Sequence, residues 1–108
     1  WARDAGADFI DVSSGGAVAG VMIPLNPGYQ VPFAAQIRKL SGVAVGAVGL
    51  ISSPVHAQRV IADGPADAVL IARAALRDPH WWLRAGAQLG AQVPWPPQYE
   101  RAGVAEDF

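Results

Sequence analysis

Two places in this sequence put anion-binding chemistry at the end of an apolar run. Gly49 sits near the end of the run that begins at Ala44, and Ala72-Arg73 closes the run that begins at Ala68. A glycine at such a position lets the backbone approach an anion closely and offers it an N–H. An arginine guanidinium makes charge-assisted, bidentate contacts with phosphate. Ala74-Ala75-Leu76 would supply a short helix whose N-terminus faces the same anion. Each residue also has a plain alternative: the glycine a simple turn, the arginine a surface salt bridge. The two together, one helical segment apart, weigh more than either alone. Ser13-Ser14-Gly15 closes a third run and serves as a turn or as the rim of a ligand site. His56 and His80 are isolated from any carboxylate cluster at ligand spacing, so no metal site is expected.

The elements that must carry these residues follow from the punctuation. Strands are predicted over 7–12, 44–50 and 68–72, the second apolar throughout, as a parallel strand buried on both faces would be. A Gly- and Pro-containing loop runs from Gly15 to Val31, a length that usually goes with function. A helix is predicted over 32–40, with Pro32 in its first turn, Phe33, Ile37 and Leu40 forming its apolar face, and Gly42 as its stop. Ser53-Pro54 reads as the N-cap and first residue of a helix ending at about Asp63 before Gly64. His56 is expected on its exposed face. A short helical turn follows Arg73, and Asp78-Pro79 opens a last helix over 80–89 that stops at Gly90 and packs through Trp81 and Trp82. The tail from Ala91, with Pro94, Pro96 and Pro97, reads as an extended arm.

Composition narrows the class. With 52% hydrophobic and 16% charged residues, the sequence is that of a packed core and not of a disordered chain. A net charge of −1 with mixed signs gives no basic patch for nucleic acid or an anionic membrane. The absence of cysteine excludes disulfides and thiolate metal sites and suits a cytoplasmic protein. No apolar stretch reaches the ~18–20 residues of a transmembrane helix. Strands alternating with helices imply a parallel sheet covered by helices. Three strands do not close a barrel, and a complete (β/α)8 barrel takes about 250 residues. The 108 residues, beginning at Trp1, therefore read as part of such a barrel or as a small open α/β sheet.

Five segments, in order, then become specific: DVSSG at 11–15, PGYQVPFA at 27–34, GAVGLI at 46–51, ADAVLIARAALRDPHW at 66–81 and PPQYER at 96–101. Together they resemble the C-terminal part of the bacterial old yellow enzyme family, in its thermophilic-like ene reductase class. The likeness covers nearly the whole chain, and the IAR-x-x-LRDP and QYER pieces are its most specific parts.

The resemblance implies an α/β fold of one kind, the last three βα units of a TIM (β/α)8 barrel (residues 1–90) followed by an extended arm (residues 91–108). It implies FMN as cofactor, NADPH as hydride donor and an activated C=C bond, typically of an enone, as acceptor. Carried over by position, Gly49, Ala72 and Arg73 would hold the FMN phosphate. Family members often have Gly where Ala72 stands. Gln30 would lie in the loop near the flavin, and Ser13 to Gly15 at the rim of the site. Arg101 would reach into a neighbouring subunit's active site in a homo-oligomer; the family often ends in Gly-Trp just after this arginine, whereas this chain continues to Phe108. The family's His-His or His-Asn pair and its Tyr proton donor belong to earlier strands, so no catalytic residue is expected here. The polypeptide alone, without the N-terminal barrel portion, is expected to have little or no reductase activity. Two other readings stay open: a non-catalytic flavin- or phosphate-binding half-barrel, and part of a different phosphate-binding barrel such as an isomerase or aldolase.

Overall fold

A computed structural model of the chain describes residues 1–23 and 25–102, without the side chain of Ala102. The chain divides into two compact units, residues 1–71 and 72–108.

The first unit holds three parallel strands in the order β1 (Phe9–Val12), β2 (Ala44–Ala47) and β3 (Ala68–Val69). The connecting helices are α1 (Val31–Ser41) and α2 (Pro54–Ala62). Pro occupies the first turn of both, where its missing N–H costs nothing. Gly42 ends α1 in the left-handed region at φ 69°, and its N–H bonds to the Arg38 carbonyl. Ser53 stands at the N-cap of α2 in extended geometry, although its hydroxyl makes no capping bond.

The register separates two sheet faces, since residues paired across parallel strands point the same way. Ile10, Val12, Val45 and Ala47 share one face, and Val12, Val45 and Ala47 are buried. Phe9, Asp11 and Ala44 lie on the other face and are exposed, whereas Gly46 on that face is buried, close to the side chains of Phe9 and Leu70. A sheet that grows in one direction through right-handed crossovers carries both helices on one side, in agreement with this burial.

Three expectations are corrected here. The apolar face of α1 is rotated: Ala34 is its fully buried residue, Ile37 is half-buried, and Phe33 and Leu40 are 47% and 77% exposed. A small residue lets the helix approach the sheet closely, which leaves the larger neighbours outside. Ile37 and Leu40 instead line an open groove of about 350 Å³ with Trp1 and Ile10. The strands are shorter than expected. β2 ends before Gly49 and Leu50, whose φ values of 121° and 53° cannot continue a strand. His56 is half-buried, its ring facing Gly28, and not on an open face.

The opposite edge of this unit is tied by one ion pair. Arg38 on α1 makes a bidentate bond to Asp67, at 2.9 Å from Nε to Oδ2 and 2.8 Å from Nη2 to Oδ1. Asp67 Oδ2 also accepts the Val45 N–H at 3.0 Å, and Arg38 Nη1 donates to the Gly64 carbonyl at 3.2 Å. One carboxylate thereby joins α1, the start of β2 and the turn before β3. The Arg38 bond, then the Val45 N–H, hold the Asp67 carboxyl below its usual value, and Asp67 raises Arg38 in return. A carboxyl depressed in the folded state contributes stability above its unfolded pKa, about 4, and loses it as pH falls through the folded value. Asp67→Asn is therefore expected to lower the thermal midpoint at neutral pH, and the gap to the wild type to close below about pH 4. Thermal unfolding from pH 7 to pH 3 checks this.

The second unit contains α3 (Arg73–Arg77), α4 (Trp81–Gln88) and a 3-10 helix over Pro97–Ala102. Asp78 precedes α4: one carboxylate oxygen accepts the His80 N–H at 3.1 Å and the other pairs with Arg84. Trp81 is buried and meets the half-exposed Trp82 edge-on, with ring centroids 4.7 Å apart. The tail is not wholly extended. Residues 91–96 are irregular, and 97–102 coil into a 3-10 turn, which Pro97 can open because the first N–H is unneeded. The last part of the predicted arm, 103–108, lies outside the described residues.

The start of the tail is held against α4. The Ala91 N–H bonds to the Gly86 carbonyl at 2.8 Å, and a Cβ on Gly86 would collide with the Val93 side chain. His80 stacks on Trp95 at 6.3 Å and meets Tyr99 at 6.0 Å. Gly86→Ala should raise helix propensity by roughly 1 kcal/mol yet displace Val93. The expected result is unchanged helix content with faster proteolysis between Ala91 and Trp95, read by limited digestion and circular dichroism.

Candidate functional site

The ends of β1 and β2 that lead into loops converge on one buried polar residue. Gln30, the N-cap of α1, is 3% exposed and is the buried polar side chain among the described residues. Its Nε2 donates to the Val48 carbonyl at 3.1 Å, and its Oε1 accepts from the Ser14 hydroxyl at 3.0 Å and from the Ser14 N–H. The Gly28 N–H donates to the Gly49 carbonyl at 2.8 Å, so the loop before α1 is seated on the turn after β2.

Gly49 itself is at φ 121°, a conformation open to glycine and strained for other residues. A Cβ there would lie 2.8 Å from the Tyr29 ring and 2.9 Å from Gln30 Nε2. The side of Gly49 where a Cβ would stand is thus filled by its own loop, through Tyr29 and Gln30.

In the second unit, Ala72 is the N-cap of α3 at φ −98° and ψ −80°, and its carbonyl accepts the Leu76 N–H at 2.9 Å. Alanine carries no left-handed strain there, so the departure from glycine leaves the N–H donor intact. Arg73 opens α3 and is exposed. Among the described residues its guanidinium has no carboxylate or hydrogen-bond acceptor. A cation in the first turn opposes the helix dipole, whereas an anion there is favoured. The first turn of a helix also leaves N–H groups without intrahelical partners. The donor set at Ala72-Arg73 thus suits a phosphate chemically. Arg101 is exposed in the 3-10 helix.

Sequence reasoning placed Gln30 in this region but did not foresee its bonds. From the sequence Ser14 reads as part of a turn or a site rim, and Gly28 carries no individual role. The available signal was a glutamine at a helix start, where Ser, Thr, Asp or Asn is usual. Among the described residues there is no group of three or more potential metal-binding side chains and no helix long and apolar enough to cross a membrane.

No protein-family model matches the chain. It is 45% identical over 102 residues to a protein of Halalkalibacterium halodurans named NADPH dehydrogenase, with 94% of this chain and 30% of the relative covered. A protein of the same name from Bacillus licheniformis is 46% identical over 102 residues, covering 94% and 30%. That of Geobacillus thermodenitrificans is 48% identical over 99 residues, covering 92% and 29%. The chain spans about 30% of the length of these curated relatives. Over nearly its whole length, then, the chain is homologous to part of bacterial proteins named NADPH dehydrogenase.

Proposed function

We propose that the chain is the C-terminal, phosphate-anchoring portion of an FMN-dependent NADPH dehydrogenase with ene reductase activity, working in the cytoplasm. The observation that carries the proposal is Arg73: an exposed guanidinium in the first turn of a helix, without an anionic partner among the described residues. Its guanidinium and the Ala72 and Gly49 N–H groups would bind the phosphate of FMN, and the loop bearing Gln30 would lie beside the flavin. Bound FMN would take a hydride from NADPH and pass it to an activated C=C bond such as that of an enone. These residues bind and orient; none of them supplies a proton to the substrate.

Two features of the first unit support a partial (β/α)8 barrel. Both crossover helices follow strands of one sheet that grows in a single direction, which puts them on one face as on a barrel wall, whereas a doubly wound sheet carries helices on both faces. Phe33 and Leu40 stay exposed on α1, where a barrel would supply a neighbouring helix. In the assembled enzyme the remaining barrel would cover Phe9 and Asp11, and Arg101 would extend into a neighbouring subunit of a homo-oligomer.

FMN titration of the purified chain, followed by quenching of flavin fluorescence and repeated with riboflavin, tests the anchor. FMN is expected to bind more tightly than riboflavin by at least tenfold. Equal affinities, or none for either, would overturn the assignment of the phosphate site.

A further inference from the structure

We infer that Gln30 is a positioning residue, whose side-chain amide acts as an inserted peptide unit that holds the diverging ends of β1 and β2 and thereby sets the Gly49 turn. The β1–β2 register runs to Val12 paired with Ala47. Beyond it, the Val48 carbonyl and the Ser14 N–H have no ladder bond to one another. The Gln30 amide stands between them, donating to the first and accepting from the second, as a backbone amide would in a sheet. The Ser14 hydroxyl adds a second bond to the same Oε1 at 3.0 Å.

Burial makes these bonds obligatory, because a buried amide without partners is costly. It also decides the residue type. Glutamate would keep the acceptor but face the Val48 carbonyl with an oxygen, and methionine would fill the space without either bond. Gly49 follows Val48 directly, and its own carbonyl is held by Gly28. Gln30 and Gly28 together leave the Gly49 peptide little room to rotate. Most of the amide's bonding capacity is spent on the protein, so Gln30 acts on a ligand through Gly49. This step rests on the phosphate reading proposed above; the wedge between the strands does not.

The two parts are tested separately on the 108-residue chain and its Gln30→Met and Gln30→Glu variants. Amide hydrogen exchange is measured without ligand, with Val45 as the internal reference. Exchange at Ser14 is expected to quicken at least tenfold in Gln30→Met, which loses the acceptor, and to change less in Gln30→Glu, which keeps it but loses the bond to Val48; the Gly49 amide resonance is expected to shift in both, with Val45 unchanged. Unaltered Ser14 exchange, or equal loss of protection at Val45, would overturn the positioning role, the latter by making Gln30 a residue of the whole fold. FMN and riboflavin titrations then address the ligand. A selective loss of FMN affinity in Gln30→Met supports action through the Gly49 turn. Equal loss for both flavins contradicts it and makes Gln30 a contact of the ring. Failure of the wild-type chain to prefer FMN, with the exchange result intact, removes the phosphate reading and the action through Gly49 while leaving the wedge.

Discussion

Replacing Gly49 by alanine is expected to lower the thermal midpoint of the chain by roughly 8–16 °C, about 2 kcal/mol for a domain of this size, and to abolish selective FMN binding. Two costs combine. Backbone in the positive-φ region costs a non-glycine residue on the order of 1–3 kcal/mol, and Gly49 stands at φ 121°. The added Cβ would also lie 2.8 Å from Tyr29 and 2.9 Å from Gln30 Nε2. Gln30 cannot retreat cheaply, because it is bonded at both ends of its amide, and the Tyr29 ring would have to turn aside. Gly64→Ala is the control, with φ 86° but open space around its Cβ. Thermal unfolding of both variants separates the terms, since Gly64→Ala pays only for the backbone. A Gly49→Ala midpoint no lower than that of Gly64→Ala would mean that the loop gives way easily.

Arg73→Ala should do the opposite: leave stability within about 0.5 kcal/mol of the wild type, as for a surface residue, and weaken FMN alone. A hydrogen bond to a charged group contributes about 1.5–3 kcal/mol, or roughly a tenfold to hundredfold change in affinity. Riboflavin, which lacks the phosphate, should bind the variant and the wild type alike. Arg73→Lys should fall between them, because an ammonium keeps the charge but loses the bidentate fork. The stability half of the prediction follows from exposure and the lack of a partner among the described residues. Parallel titrations at low and high salt, with unfolding curves for each variant, read both halves. An equal loss for FMN and riboflavin would move Arg73 away from the phosphate.

What could be read from the sequence was mainly the punctuation. Pro32 with Gly42 and Pro54 with Gly64 bracket helices whose starts and stops lie within a residue or two of expectation. These residues act through their own backbone, so their message is local. The faces were harder. Phe33, Ile37 and Leu40 have helical spacing, yet the sheet takes up Ala34, because the closest packing is decided by a partner surface that spacing does not describe. The tail misled for a related reason. Three prolines exclude a regular α-helix, but Pro97 is harmless at the head of a 3-10 turn.

The candidate site divides the same way. Gly49 and Arg73 stand out as candidates by residue type at the ends of apolar runs, and Ala72 only by its place beside Arg73 and the family resemblance. The Gln30 wedge could not, since it depends on strand ends that separate just beyond the last paired residues. Nor could the Arg38–Asp67 tie, which joins residues far apart in the chain. Both are long-range bonds, the first of a buried amide and the second of an exposed ion pair, visible only once the strands are paired.

The most direct measurement exchanges these residues for the matching stretch of the Geobacillus thermodenitrificans NADPH dehydrogenase, to which they are 48% identical. The purified chimera would be assayed for bound flavin and for NADPH oxidation with an enone, beside an Arg73→Ala chimera and the chain alone. The account predicts near-stoichiometric FMN and enone-dependent NADPH oxidation in the first, reduced FMN content in the second, and no oxidation by the third. A folded chimera without FMN, or NADPH oxidation by the chain alone, would contradict it.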